Sequence, residues 1–183
     1  MSYNLLTISG SLREKSFNTA LLRAFALEAP QGVTVEHADI SALALYNQDD
    51  EAAYPEAAQA LKDKIRAADG IIIATPEYNR SIPGVLKNAI DWTSRPYGDS
   101  AWKGKPVFVV GASIGPISAA LAQYHLKQIM LYLDAHVVGQ PEFYVGGAGS
   151  KFAEDGTITD ESTKEHIVSG IAAFTAFIDR VRV

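Results

Sequence analysis

Five short apolar runs, at residues 5–8, 33–40, 70–74, 106–110 and 135–138, alternate along the chain with five stretches whose apolar residues recur at helical spacing. Few architectures accommodate such strict alternation. Parallel strands need long crossovers, helices supply them, and the crossovers are right-handed, so helices come to lie on both faces of one sheet. The reading is an α/β three-layer sandwich around a five-stranded parallel sheet. Helices are expected at 17–28, 55–68, 85–93, 116–133 and 161–182. Phe17, Leu21, Leu22 and Phe25 stripe the first, and Ile167, Ile171, Phe174 and Ile178 the last. Residues 41–54 read as a polar-aromatic connector, 94–105 as a loop and 146–160 as a surface excursion. No repeat, linker or low-complexity tract divides the chain, so residues 1–183 are expected to form one domain.

Two loops carry more chemistry than a connector needs. The first, Gly10-Ser11-Leu12-Arg13-Glu14-Lys15-Ser16-Phe17-Asn18, lies between a strand and a helix start. A helix start leaves backbone N–H groups unpartnered and carries partial positive charge, which suits a phosphate. Ser11, Ser16 and Asn18 add side-chain donors, and Arg13 adds a charge with forked geometry. The plainer alternative is that Ser16 caps the helix and Arg13 is a solvated surface charge. The second loop, Thr75-Pro76-Glu77-Tyr78-Asn79-Arg80-Ser81-Ile82-Pro83-Gly84, follows the third apolar run, and its two prolines and glycine stop either element from continuing. In an open parallel sheet the carboxyl ends of the strands are where ligands bind. Two polar loops at that edge favour a small-molecule site.

These residues resemble a known family. Gly10-Ser11-x-Arg13-x-x-Ser16-x-Asn18, the run from Pro76-Glu77-Tyr78-Asn79 through Pro83-Gly84 to Asp91-Trp92, and Gly111-x-Ser113-x-Gly115 followed by Gln123-Tyr124-His125-Leu126 are similar to the NAD(P)H-dependent FMN reductases, and within them to the bacterial quinone and chromate reductase branch. The resemblance spans nearly the whole chain. Many members carry a Gly-Gly step shortly after the third loop, where this chain has Pro116, Ile117, Ser118 and Ala119. The resemblance implies a flavodoxin-like fold with strand order 2-1-3-4-5, which sets the loops after the first and third strands beside the switch point. It implies noncovalent FMN, its phosphate held by Ser11, Arg13, Ser16, the Phe17 N–H and Asn18. The ring would lie against Pro76, Glu77, Tyr78, Asn79 and Ser81, chiefly on backbone groups, with Ser113 and Gly115 near its edge. It implies NADPH or NADH as reductant, a small-molecule electron acceptor such as a quinone, with chromate, azo compounds or free flavin as substitutes, and no catalytic acid or base. It also implies a homodimer or homotetramer, and with the large aromatic just beyond the second loop the helix containing Leu86, Ile90 and Trp92 is expected at or near the contact.

Composition narrows the alternatives. The chain has no cysteine, which removes disulfides, thiolate metal sites and thiol catalysis, so redox chemistry must belong to a bound cofactor. Its 16 basic and 21 acidic residues give a net charge of −5, against a general nucleic-acid or anionic-membrane surface. The N-terminal residues lack a signal pattern and no apolar run approaches a membrane span, so a cytoplasmic protein is expected. His37, His125, His136 and His166 show no metal-ligand spacing. Gly111-Ala112-Ser113-Ile114-Gly115 is a literal G-x-S-x-G between strand and helix, which raises a serine hydrolase as a rival, but no carboxylate and histidine follow in an evident triad arrangement. A flavin-binding electron carrier without reductase activity is the rival of another class. Trp92 and Trp102 are candidates for a subunit contact, large aromatics being common there.

Overall fold

The central strands are apolar at consecutive positions because both their faces are covered, and in the computed structural model, which describes residues 2–182, alternate side chains enter two separate cores. Strands β1 (Tyr3–Ser9), β2 (Val33–Ala38), β3 (Gly70–Ala74), β4 (Pro106–Ala112), β5 (His136–Val137) and β6 (Phe143–Val145) alternate with helices α1 (Phe17–Leu27), α2 (Glu56–Ala67), α3 (Gly84–Thr93), α4 (Ala120–Tyr132) and α5 (Glu161–Val181). All pairings are parallel, in the order β2-β1-β3-β4-β5, with β6 also on β4. This is the flavodoxin-like order that the sequence implied.

On one face Leu5, Ile72 and Phe108 meet Leu21, Leu22 and Phe25 of α1 and Ile167, Ile171 and Phe174 of α5. On the other, Leu6, Ile71, Ile73, Val107 and Val109 meet Leu61 and Ile65 of α2, Leu86 and Ile90 of α3, and Leu126 and Met130 of α4. Full burial of a side chain of this size contributes about 1.5–3 kcal/mol. The helical stripes thus fix which face each crossover covers.

Four expectations need correction. First, α4 begins at Ala120, not at residue 116, because Ser118 and Ala119 turn into the left-handed region with φ of 55° and 61°. Second, the last strand is split. Only His136 and Val137 pair with the lower half of β4, and β6, missed in the sequence, pairs with its upper half after the interruption at Gly139, Gln140 and Pro141. Third, the 146–160 stretch is not all surface, since Ala148, Phe152 and Ile158 are buried in the α1/α5 core; within the 41–54 connector, Gln48–Ala53 forms a 3-10 helix.

The fourth concerns the tryptophans. Trp92 and Trp102 are 0% and 1% exposed, and Leu86 and Ile90 are buried with them, so none of these presents a subunit contact. The Trp92 indole N–H donates to the Ala44 carbonyl at 2.8 Å, and Tyr46 and Tyr54 meet its ring edge-on at 5.0 and 5.4 Å. The Trp102 indole N–H donates to Thr93 Oγ1 at 2.9 Å. Both are anchors that pin the connector and the 94–102 loop to α3. Buried Lys62 assists, reaching Asp99 at 2.8 Å and lying over the Tyr54 ring. Burial pushes the Tyr54 hydroxyl up to about 12.

Candidate functional site

Each of the three loops leaves the sheet still tied to the neighbouring strand. The Gly10 N–H donates to the Ala74 carbonyl at 2.8 Å, Thr75 to Val110 at 3.0 Å and Ser113 to Val145 at 3.0 Å. The loops after β1, β3 and β4 therefore stand side by side at the carboxyl edge. Gly10 allows this, because a Cβ there would meet Leu86, the Ala74 carbonyl and Pro76 at 3.1–3.3 Å. Gly111 does the same one strand over, where a Cβ would lie 2.8 Å from Gln123 Nε2 and 3.0 Å from the Thr75 carbonyl.

The first loop is bonded mainly to itself. The Ser11 hydroxyl oxygen accepts the Arg13 N–H at 3.2 Å, and Ser16 caps α1 by accepting the Thr19 N–H at 3.4 Å. Each of these hydroxyls keeps a proton to donate. The backbone N–H groups of Phe17 and Asn18, the first two of α1, have no acceptor among the described residues. Arg13 lies across the loop, donating from Nη2 to the Lys15 carbonyl at 2.5 Å with its guanidinium 5.6 Å from the centre of the half-buried Phe17 ring. The Asn18 side chain is committed elsewhere. Its amide donates to the Ala112 carbonyl at 3.0 Å and accepts the Ala112 N–H at 2.9 Å, so it ties α1 to the third loop from a buried position. Its backbone N–H, not its side chain, is what it offers an anion. Beyond the first loop a cavity of about 700 Å3 opens between Arg13, Phe17, Phe152 and Gly156, and none of the second-loop residues line it.

The second loop is a tight hairpin. Tyr78 and Ser81 exchange backbone hydrogen bonds at 2.9 and 3.0 Å, while Asn79 and Arg80 take φ of 53° and 65° at its tip. This is the two-residue turn with both central residues left-handed, which favours Asn at the first. Pro76 packs against Gly10 at its base, and Tyr78 is exposed on its rim. The Glu77 carboxylate reaches the start of α4, where it accepts the Leu121 and Ala122 N–H groups at 3.1 and 3.3 Å and pairs with Arg80 at 2.9 Å. Burial pushes this carboxyl up, but Arg80 and the two amides outweigh it and hold it below its ordinary range. Ser81 Oγ is hydrogen bonded to His125 Nδ1 at 3.0 Å.

In the third loop Ser113 Oγ donates to the Gly115 carbonyl at 3.0 Å and accepts the Gly115 N–H at 3.2 Å. A hydrolase elbow would hold this serine at positive φ with a histidine at its hydroxyl. Ser113 is not among the positive-φ residues, and the four histidines lie elsewhere: His125 bonds Ser81, His37 bonds Thr7, His166 lies flat on Phe143, and His136 pairs with Pro106 at the far end of β4. Nor is there a group of three or more His, Asp or Glu able to hold a metal among the described residues.

The three loops that carry the expected site residues thus stand at one edge of the sheet, with the Asn18 amide and the Glu77 carboxylate spent within the fold, and Arg80 and His125, which were not among the expected site residues, bonded to the second loop. Their signal was present in the His125 motif and in the Asn79-Arg80 turn pair, but nothing in a linear sequence connects residue 81 with residue 125. The donor set fits a flavin mononucleotide. A terminal phosphate suits two free helix amides, two hydroxyls and a guanidinium, and Gly10 leaves room where a Cβ would crowd the loops.

Comparison with known proteins gives the family. Residues 3–150 match the family described as NADPH-dependent FMN reductase. A 2-hydroxy-1,4-benzoquinone reductase from Burkholderia sp is 43% identical over 183 residues, covering 100% of both chains. A quinone reductase from Escherichia coli (strain K12) is 42% identical, covering 98% of this chain and 97% of its own. The solved structure of FerB, a flavoenzyme NAD(P)H:(acceptor) oxidoreductase from Paracoccus denitrificans, superposes with a TM-score of 0.91 at 39% identity, covering 99% of this chain and 100% of that one. With its sheet order, its three converging loops and this match, the chain belongs to the NADPH-dependent FMN reductase family, a flavin-dependent NAD(P)H oxidoreductase.

Proposed function

We propose that this enzyme reduces quinones by a ping-pong cycle in which reductant and acceptor use one open ring face in turn. The observation that carries the reading is the start of α1, where the free Phe17 and Asn18 N–H groups stand beside the Ser11 and Ser16 hydroxyls and Arg13. Those groups would hold the phosphate. The backbone of Pro76–Asn79, Ser81 and the third-loop residues Ser113 and Gly115 would orient the ring. Bound FMN supplies the redox chemistry, taking hydride from NAD(P)H and passing electrons to the acceptor. The protein's part is to fix the ring and keep one face open, and the stiffness of the proline-flanked hairpin lowers the ordering cost of binding.

None of the site residues is assigned as an acid or base. Glu77 is spent on α4, and Ser113 on Gly115. Exposed apolar residues border the loops, among them Leu12, Tyr78, Ile114 and Ile117, which favours planar organic acceptors; chromate and azo compounds are secondary acceptors of the same face. The relatives' names, quinone reductase and benzoquinone reductase, support the acceptor class. Residues 1–183 act as one FMN-binding domain in the cytoplasm, and no described helix is long and apolar enough to cross a membrane. Assembly as a homodimer or homotetramer is part of the same proposal. It would use exposed Leu121, Tyr124, Leu131 and Tyr132 of α4, since Trp92 is buried.

The test is anaerobic mixing of holoprotein with NADPH while flavin absorbance is followed, then addition of benzoquinone. Bleaching by NADPH alone and full recovery on quinone are expected. Bleaching that requires an added reductase would make the protein an electron carrier.

A further inference from the structure

Helix α4 starts without a cap of its own. Its N-cap residue, Ala119, has no side-chain oxygen and sits in the left-handed region, so the first-turn amides need an acceptor from elsewhere. Glu77 provides it across 44 residues of chain, with Oε2 taking the Leu121 and Ala122 N–H groups while Oε1 holds Arg80. A carboxylate at a helix N-terminus is favoured by the helix dipole as well as by the bonds. About one turn further along α4, His125 grips Ser81. The two attachments flank the hairpin tip, where Asn79 and Arg80 adopt backbone conformations that persist only when neighbours over-determine them.

We propose that Glu77 and His125 are positioning residues that clamp the ring-side hairpin onto α4, and so set how tightly the flavin ring is held and the potential at which it works. The inference rests on the FMN reading above. With both oxygens of Glu77 occupied, no bare carboxylate charge faces the crevice. The ring is instead met by the backbone of a loop whose two ends are fixed to a helix. Loosening either attachment lets the hairpin shift, and hydrogen bonds to the ring change with it. A scaffold residue of ordinary kind would alter melting temperature and leave affinity and potential alone.

The experiment titrates FMN into apoprotein by flavin-fluorescence quenching and measures the midpoint potential and melting temperature of the holoprotein, for wild type, Glu77→Ala, Glu77→Gln, His125→Ala and His125→Asn. Glu77→Ala should weaken FMN binding about tenfold, the equivalent of losing one charge-assisted contact. Glu77→Gln should lose less, because its amide oxygen can still accept from α4. His125→Ala should weaken binding about threefold, with His125→Asn restoring much of the loss. Each weakened variant should also show a shifted midpoint potential well below its melting temperature. Affinity and potential unchanged in both Glu77→Gln and His125→Ala would overturn the clamp while leaving the FMN assignment intact. Wild-type protein that takes up no FMN would overturn that assignment and the clamp with it.

Discussion

The loops after β1 and β3 sit side by side, yet they are held in opposite ways. The first closes on itself through Ser11, Ser16 and Arg13, and leaves the Phe17 and Asn18 N–H groups without acceptors among the described residues. The second has its polar groups bound to distant parts of the fold, Glu77 and Ser81 to α4, while the helix that follows it is pinned through Trp92 to the connector. The difference separates gripping from framing. Donors left unspent by the fold cost little to redirect to a ligand, whereas a loop tied at both ends supplies a surface of fixed shape.

The comparison is most directly broken at the frame. Trp92→Ala removes a fully buried ring, its Ala44 hydrogen bond and two edge-on aromatic contacts, and should destabilise the protein by about 3–5 kcal/mol in urea or thermal unfolding. A loss much under that would mean that the connector and the α3 anchor repack independently of the second loop. Arg13→Ala probes the grip. It should weaken FMN binding by about 1.5–3 kcal/mol, with melting temperature unchanged in the apoprotein, because Arg13 is exposed and bonded only to its own loop. An apoprotein that melts lower, with FMN affinity unaltered, would turn the contrast around.

The smallest effect is a difference in pH window. A phosphate monoester takes up its second proton near pH ~6, so the grip should loosen between about pH 7 and 5. Glu77 behaves differently. Its folded value lies below the ordinary 4.5, so its contribution to stability is fully present above that and is lost as pH falls through the folded value. Melting curves of wild type and Glu77→Gln should therefore converge only below about pH 4.5, while FMN affinity declines in both from neutrality downward. Convergence already at pH 6 would show that Glu77 is not held ionised by Arg80 and α4.

Much of this was readable in the chain because periodicity is local. The runs at β1, β3 and β4 appear as strands since both faces are covered, and α1 begins at Phe17 as its Ser16 cap suggests. What was not readable depends on tertiary partners. Pro116 looks like a helix opening, but Ser118 and Ala119 turn left-handed and Glu77 caps the helix from Ala120 onward. Strand β6 has three residues, too few for a pattern. Asn18 reads as a ligand donor by its position, yet it is spent on Ala112, and Trp92 reads as a surface aromatic until the connector closes over it.

The broken last strand has a consequence for colloidal behaviour. A long flat sheet edge offers unpaired N–H and C=O groups to any other chain, and here the edge beyond β4 is cut into pieces of two and three residues by Gly139, Gln140 and Pro141. The opposite edge, β2, presents exposed Thr34, Glu36 and His37, with Glu36 paired to Lys64 at 2.7 Å. Neither side offers a continuous apolar ladder for strand addition, so copies of this protein have no ready template for stacking into fibrils even though its interior strands β3 and β4 are buried along their whole length.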